Sequence, residues 1–203
     1  MVIHDLFPTQ LFEFKTDKFD NADLIYKLQH LDNTQIKKTT TVSILYDLRN
    51  HPDFADLFAW FHECLEQIRV SQTYDCDAFK ITNSWFNVAI DGHQMYQNYH
   101  RHSMSYFSAV YYMSSGSPTV FEDPVIHRTQ AQLEVLRANF NPEFNVDAEV
   151  GKLVIFPSWM YHRSLPHFES NDRYVISFNS LPVGKINHAM ATDSKAFIRI
   201  DND

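Results

Sequence analysis

Residues 151–162 read GKLVIFPSWMYH: a glycine turn, an apolar run from Leu153 to Phe156, a proline-bounded turn and then His162. Such a run of β-branched and aromatic residues predicts a strand. A strand that ends in a tight turn can carry His162 back over a sheet face. Upstream, Tyr99-His100-Arg101-His102-Ser103 leads into a second apolar run, Tyr106 to Met113. In an extended chain residues i and i+2 share a face, so His100 and His102 point to one side and Arg101 to the other. Two imidazoles on one face can share a metal ion, although two solvent-facing histidines at a strand entrance would read the same way. Downstream, Arg173-Tyr174-Val175-Ile176-Ser177-Phe178-Asn179 predicts a strand with Arg173 and Ser177 on one face. A guanidinium buried there needs an anionic partner, and a bidentate carboxylate fits it. The plainer alternatives are a hydrogen-bonded core histidine at 162 and a loop salt bridge from Arg173 to Asp172 or Glu169.

Working outward, Phe79, Ile81, Trp85, Asn87 and Ala89 alternate with Lys80, Thr82, Phe86, Val88 and Ile90, which predicts another strand. Further strands are expected over Tyr99–Tyr112, Thr119–Phe121, Lys152–Phe156 and Arg173–Asn179. The first third has a different period. Leu24, Ile25, Leu28 and Leu31, then Phe54, Leu57, Phe58, Trp60, Phe61, Leu65 and Ile68, recur at helical spacing. Asn21 and Asp23 suit the start of the first helix, and His51, Pro52 and Asp53 the start of the second. Thr129–Asn139 reads as a short helix or irregular insertion placed to cover a site. Helices followed by strands give an α+β, mainly β fold: a β-sandwich buttressed by N-terminal helices. One domain is expected over 1–203, with a helical part to about residue 75, a β core over about 76–182 and a tail over 183–203.

The 203 residues are 44% hydrophobic and 15% aromatic, enough for a sizeable core, so disorder and a disulfide miniprotein are excluded. With 17 Lys and Arg against 25 Asp and Glu, the net charge is -8, and no basic nucleic-acid footprint exists. No apolar run approaches the roughly 20 residues that span a bilayer, and MVIHDLFPTQ lacks the features of a secretory signal. A cytoplasmic protein without nucleic-acid or membrane partners is expected. Cys64 and Cys76 are too few for a disulfide framework and read as reduced core residues. Of the 11 histidines, His93, His127, His167 and His188 lack partner spacing and read as surface or loop.

Taken in order, LFPTQLF, SWFNVAI, HRHSMSYFSAVYYM, FEDP, GKLVIFPSWMYHRSLP and RYVISFN, from about Leu6 to Asn179, resemble the iron(II)- and 2-oxoglutarate-dependent oxygenases of marine bacteria and their phages. That resemblance implies a double-stranded β-helix, or jelly roll, using Fe(II), 2-oxoglutarate and O2. It also implies that His162 is the distal metal ligand and that Arg173 grips the far carboxylate of 2-oxoglutarate, with Ser177, Asn87 and Tyr96 nearby as cosubstrate-binding candidates. This sequence departs from the pattern where His102 stands in place of the usual carboxylate after His100. Three arrangements remain open: a site of His100, His102 and His162; an iron with an open position and His102 beside it; or a carboxylate supplied by Glu122 or Asp123. The implied activity is a hydroxylase acting on a small molecule or a peptide or protein side chain. A cupin-type three-histidine enzyme would not need Arg173, and a non-catalytic jelly-roll binding module would need neither. Sequence leaves the substrate and the oligomeric state open.

Overall fold

The computed structural model describes residues 1–2, 8–31, 42–44, 47–91, 93–125, 141–186 and 199–200. In chain order the main elements are β1 (Phe12–Lys15), α1 (Asn21–Gln29), β2 (Val42–Ile44), α2 (Ala55–Ser71), β3 (Ala78–Ala89), β4 (Gln97–His100) and β5 (Phe107–Tyr112). They continue with β6 (Gly116–Glu122), β7 (Glu143–Ala148), β8 (Lys152–Pro157), β9 (His162–Ser164), β10 (Arg173–Lys185) and β11 (Arg199–Ile200). A large antiparallel sheet runs β1-β8-β5-β10-β3-β2, with β11 on β10, and a small sheet runs β4-β9-β6-β7. Consecutive strands alternate between the sheets from β3 to β6, which is the winding of a double-stranded β-helix.

The side-chain period of two sorts each strand of the large sheet between two cores. Phe107 and Tyr111 on β5, Leu153 and Ile155 on β8, and Tyr174, Ile176 and Phe178 on β10 join the cluster beneath the helices. Their neighbours Val110, Tyr112, Val154, Phe156 and Val175 turn the other way and pack with Phe121, Val146 and Ala148 of the small sheet. The helices supply Leu24 and Leu28 from α1 and Leu57, Phe58, Trp60, Phe61, Cys64, Leu65 and Ile68 from α2. Asp20, rather than Asn21 or Asp23, caps α1: its carboxylate accepts from Ala22 N (3.0 Å) and Asp23 N (3.2 Å). His51 and Pro52 lead into a single 3-10 turn ahead of α2.

Simple alternation along β3 fails at one place. The β3–β10 register pairs Asn179 with Asn83 but Ser180 with Ile81, leaving Thr82 as an extra residue. This bulge reverses the facing of everything beyond it. Phe79 and Ile81 before it, and Phe86 and Val88 after it, therefore all reach the helical core. Trp85 and Asn87, which strict alternation groups with Phe79, turn instead towards the space between the sheets. Other boundaries also differ from expectation. The expected Tyr99–Tyr112 strand is two strands in different sheets, joined by a loop where Met104 has φ 55°. β1 and β2 join the large sheet from within the part expected to be helical, and β10 runs to Lys185. The expected element at Thr129–Asn139 lies outside the described residues, as do His127 and His188.

Candidate metal centre

β4 and β9 are antiparallel neighbours, and their register sets His100 directly opposite His162. On the other side of β9, Phe121 of β6 stands across from His162. His102 lies just past β4, where its backbone N–H donates to the Ser158 carbonyl (3.0 Å) in the turn after β8. That turn is tied inward by a buried chain of hydroxyls: Ser158 Oγ meets Ser108 Oγ at 2.8 Å, and Ser108 Oγ donates to Asn179 Oδ1 at 2.7 Å. The result brings one ring nitrogen from each of His100, His102 and His162 within 4.8 Å of one another. His102 Nε2 and His162 Nε2 are 3.3 Å apart, close to the ~3 Å between two nitrogens bound at right angles ~2.1 Å from one ion.

Backbone carbonyls fix two of the tautomers. His162 Nδ1 meets Met160 O at 3.0 Å, and His100 Nδ1 meets Asn98 O at 2.8 Å. A carbonyl only accepts, so each Nδ1 carries the proton and each Nε2 keeps a free lone pair for a metal. Burial, reinforced by the neighbouring His100, holds His102 down at about 4 and His162 at about 3, so both rings are neutral at pH 7. The Trp85 ring stacks on His102 at 5.2 Å, and Phe156 meets His162 edge-on at 4.7 Å. Neither Glu122 nor Asp123 belongs to the cluster; Glu122 pairs with Glu143 in the β6–β7 register, and Asp123 Oδ1 accepts from Val125 N.

Arg173, at the start of β10, lines the same narrow cavity as the three histidines. It is buried, its Nε donates to Ser117 O (2.9 Å), and its guanidinium lies over the Tyr112 ring at 5.4 Å. Burial pushes its pKa down. Asp172 turns elsewhere, accepting from Asp91 N, and no ion pair among the described residues involves Arg173. A buried cation with no acidic partner suits a ligand that brings its own carboxylate. Ser177 and Asn87 line the cavity beside it, and Asn87 Oδ1 is buried without a hydrogen-bond partner. The donor set therefore fits a divalent cation at the histidines and a carboxylate at Arg173.

Of the remaining candidates, Tyr96 is 52% exposed and does not line the cavity, whereas its neighbour Gln97 does. Thr119 and Ser164 also line it, and nothing in a linear pattern marks a small polar residue as facing inward. His167 requires a correction. Expected at the surface, it is fully buried, because its loop folds in beside Gly116 and its backbone N–H donates to Met95 O (3.1 Å). Cys64 and Cys76 are free and buried, and burial lifts the Cys64 thiol to about 12. No helix among the described residues is long and apolar enough to cross a membrane.

Comparison with known proteins bears on this cavity. Residues 83–179, which carry all three histidines and Arg173, match the family model described as "Putative 2OG-Fe(II) oxygenase". No curated protein matches the chain in sequence. Among solved structures, HygX from Streptomyces hygroscopicus, with nickel and 2-oxoglutarate bound, superposes with a TM-score of 0.61 at 13% identity, over 95% of this chain and 93% of that one. A Pseudomonas putida prolyl-4-hydroxylase gives 0.57 at 14% identity, over 87% and 94%. The non-heme alpha ketoglutarate dependent carbocyclase SnoK from nogalamycin biosynthesis gives 0.61 at 8% identity, over 96% and 90%. At these identities the likeness establishes the fold.

Proposed function

We propose, from the match of residues 83–179 to the 2OG-Fe(II) oxygenase family model, that this chain is a dioxygenase that hydroxylates its substrate. The observation that carries the reading is the coexistence, in one cavity, of a three-histidine cluster and a buried arginine without an acidic partner. A dicarboxylate paired with that guanidinium would offset the cost of its desolvation, a need that no acidic side chain among the described residues meets.

In this reading His100, His102 and His162 hold Fe(II), and Arg173 takes the far carboxylate of 2-oxoglutarate with Ser177 and Asn87 beside it. When bound, the metal and cosubstrate supply the oxidising power, as 2-oxoglutarate and O2 are converted to succinate and CO2 while the substrate is oxidised. The chain's own part is to bind, orient and exclude. Met160 and Asn98 carbonyls hold the two ring protons on Nδ1, keeping Nε2 free. Trp85 stacks on His102 and Phe156 packs edge-on against His162, walling these two rings with aromatic surface. Imidazole ligands bring no negative charge, so the ion would keep its full charge, which a dianionic cosubstrate compensates.

Anaerobic addition of Fe(II) and then 2-oxoglutarate tests this reading through the visible charge-transfer band of the chelate. The band is expected in the wild type, absent in His162→Ala and weakened in Arg173→Ala. Stoichiometric iron without a band would point to a cupin-type enzyme, and no iron at all to a binding module.

A further inference from the structure

Two of the buried side-chain atoms that lack a hydrogen-bond partner, Ser117 Oγ and His167 Nδ1, belong to residues packed around Gly116. The His167 ring is held from behind, its Nε2 donating to the Asn171 carbonyl. Nδ1 is then a bare acceptor, enclosed and unanswered. Gly116 has φ +151°, and a Cβ built there would sit 2.9 Å from His167 Cε1, 3.0 Å from His167 Nδ1 and 3.0 Å from Arg173 Cδ. The space that a side chain at 116 would fill is thus where the imidazole and the arginine stem converge. The next residue supplies the carbonyl that receives Arg173 Nε, at 2.9 Å. Gly116, Ser117 and His167 thus surround the arginine stem: Gly116 through its missing side chain, Ser117 through its carbonyl and His167 through its ring.

We propose that His167, seated against Gly116, is a positioning residue that sets the depth of Arg173 and with it the length of 2-oxo dicarboxylate the cavity accepts. This rests on Arg173 being the carboxylate partner proposed above. A 2-oxo acid anchored at the histidines presents its second carboxylate nearer or farther by one methylene in oxaloacetate or 2-oxoadipate than in 2-oxoglutarate. The guanidinium fork pairs well only at a matching distance. Behind it the His167 ring is a stop, its Nε2 held by the Asn171 carbonyl and its backbone N–H by that of Met95. Without that stop the arginine stem can withdraw; with a methyl group at 116 it is pushed forward.

Calorimetric titration of the manganese(II)-loaded protein with the three acids reads this directly, without turnover. The wild type is expected to prefer 2-oxoglutarate over 2-oxoadipate by about tenfold or more, the usual weight of one methylene. In His167→Ala that preference is expected to collapse or invert, while Gly116→Ala moves selectivity towards oxaloacetate. His167→Asn, a smaller group still able to donate towards Asn171, carries the same test if the alanine variant does not hold metal. Equal weakening of all three acids in the His167 variants would mean that the ring is only structural, and would overturn the proposal while leaving the function intact. A wild type that holds manganese but binds none of the acids would overturn the reading of Arg173 itself, and the proposal with it.

Discussion

His102 Nε2 and His162 Nε2 stand 3.3 Å apart, brought together from positions 60 residues distant. One comes from the loop after β4 and the other from the first position of β9, so the contact exists only when the strands of the small sheet are in register. Two neutral rings in that position gain little from each other, and a shared ion would satisfy both. Metal should therefore raise the melting temperature. An ion present at about a hundred times its dissociation constant adds about 2.7 kcal/mol, and differential scanning calorimetry with and without Fe(II) or Mn(II) measures it. His162→Ala should remove the increment.

The identity of the residue at 102 should decide the charge of the site rather than its existence. His102→Asp places a carboxylate where two-histidine, one-carboxylate sites have theirs and is expected to keep Fe(II). His102→Ala, with nothing to coordinate, should weaken metal binding by at least about tenfold. Equilibrium dialysis of both variants compares them, and an alanine variant that binds as tightly as the wild type would remove His102 from the ligand set.

Acidification should unfold the metal-free protein through the same rings. In the unfolded chain both titrate near 6.5, whereas in the folded protein His102 is held at about 4 and His162 at about 3. Between those values the unfolded chain binds more protons, so stability present above about pH 6.5 is lost as pH falls towards 4 and then 3. Melting temperatures of the metal-free protein across pH 7 to 4 should decline, and His102→Phe should decline less steeply.

Ser108→Ala removes the link between Ser158 and Asn179 and strands the buried Asn179 Oδ1. A loss of about 1–3 kcal/mol in denaturant unfolding is expected. Because Ser158 also anchors the His102 backbone, metal affinity should fall with it.

Gly151 has φ +81°, and a Cβ there would meet Thr16 O at 2.2 Å. Gly151→Ala should detach β1 from β8, seen as rapid amide exchange at Phe14 and as a loss of more than about 1 kcal/mol from the strained backbone.

Much of the fold and of the site is legible in the sequence. Apolar runs with β-branched residues located β3, β5, β8 and β10, helical spacing located α1 and α2, and the HxH, His162 and Arg173 fell in one cavity. The short strands were invisible for physical reasons. β7 carries Glu143, Asn145 and Asp147 with only Val146 and Ala148 fully buried, too sparse a signal, and β9 has three residues. The Thr82 bulge was hidden because apolar residues occupy both phases of β3, so no alternation reveals where facing reverses. The burial of His167 depends on a loop folding in beside Gly116, a long-range event with no local mark in the sequence. Tyr96 stands exposed just ahead of β4, whereas Gln97, the first residue of that strand, lines the cavity, a difference of one position that no local pattern marks.

The histidines belong to the small sheet and the loop after it, whereas Arg173 belongs to the large one. A molecule chelated at one and paired at the other is a rivet through both layers of the sandwich. Loading the site would then tighten both sheets, and amides of β4 and β9, which carry His100 and His162, would exchange more slowly. The small sheet, short-stranded and thinly packed, has the most to gain.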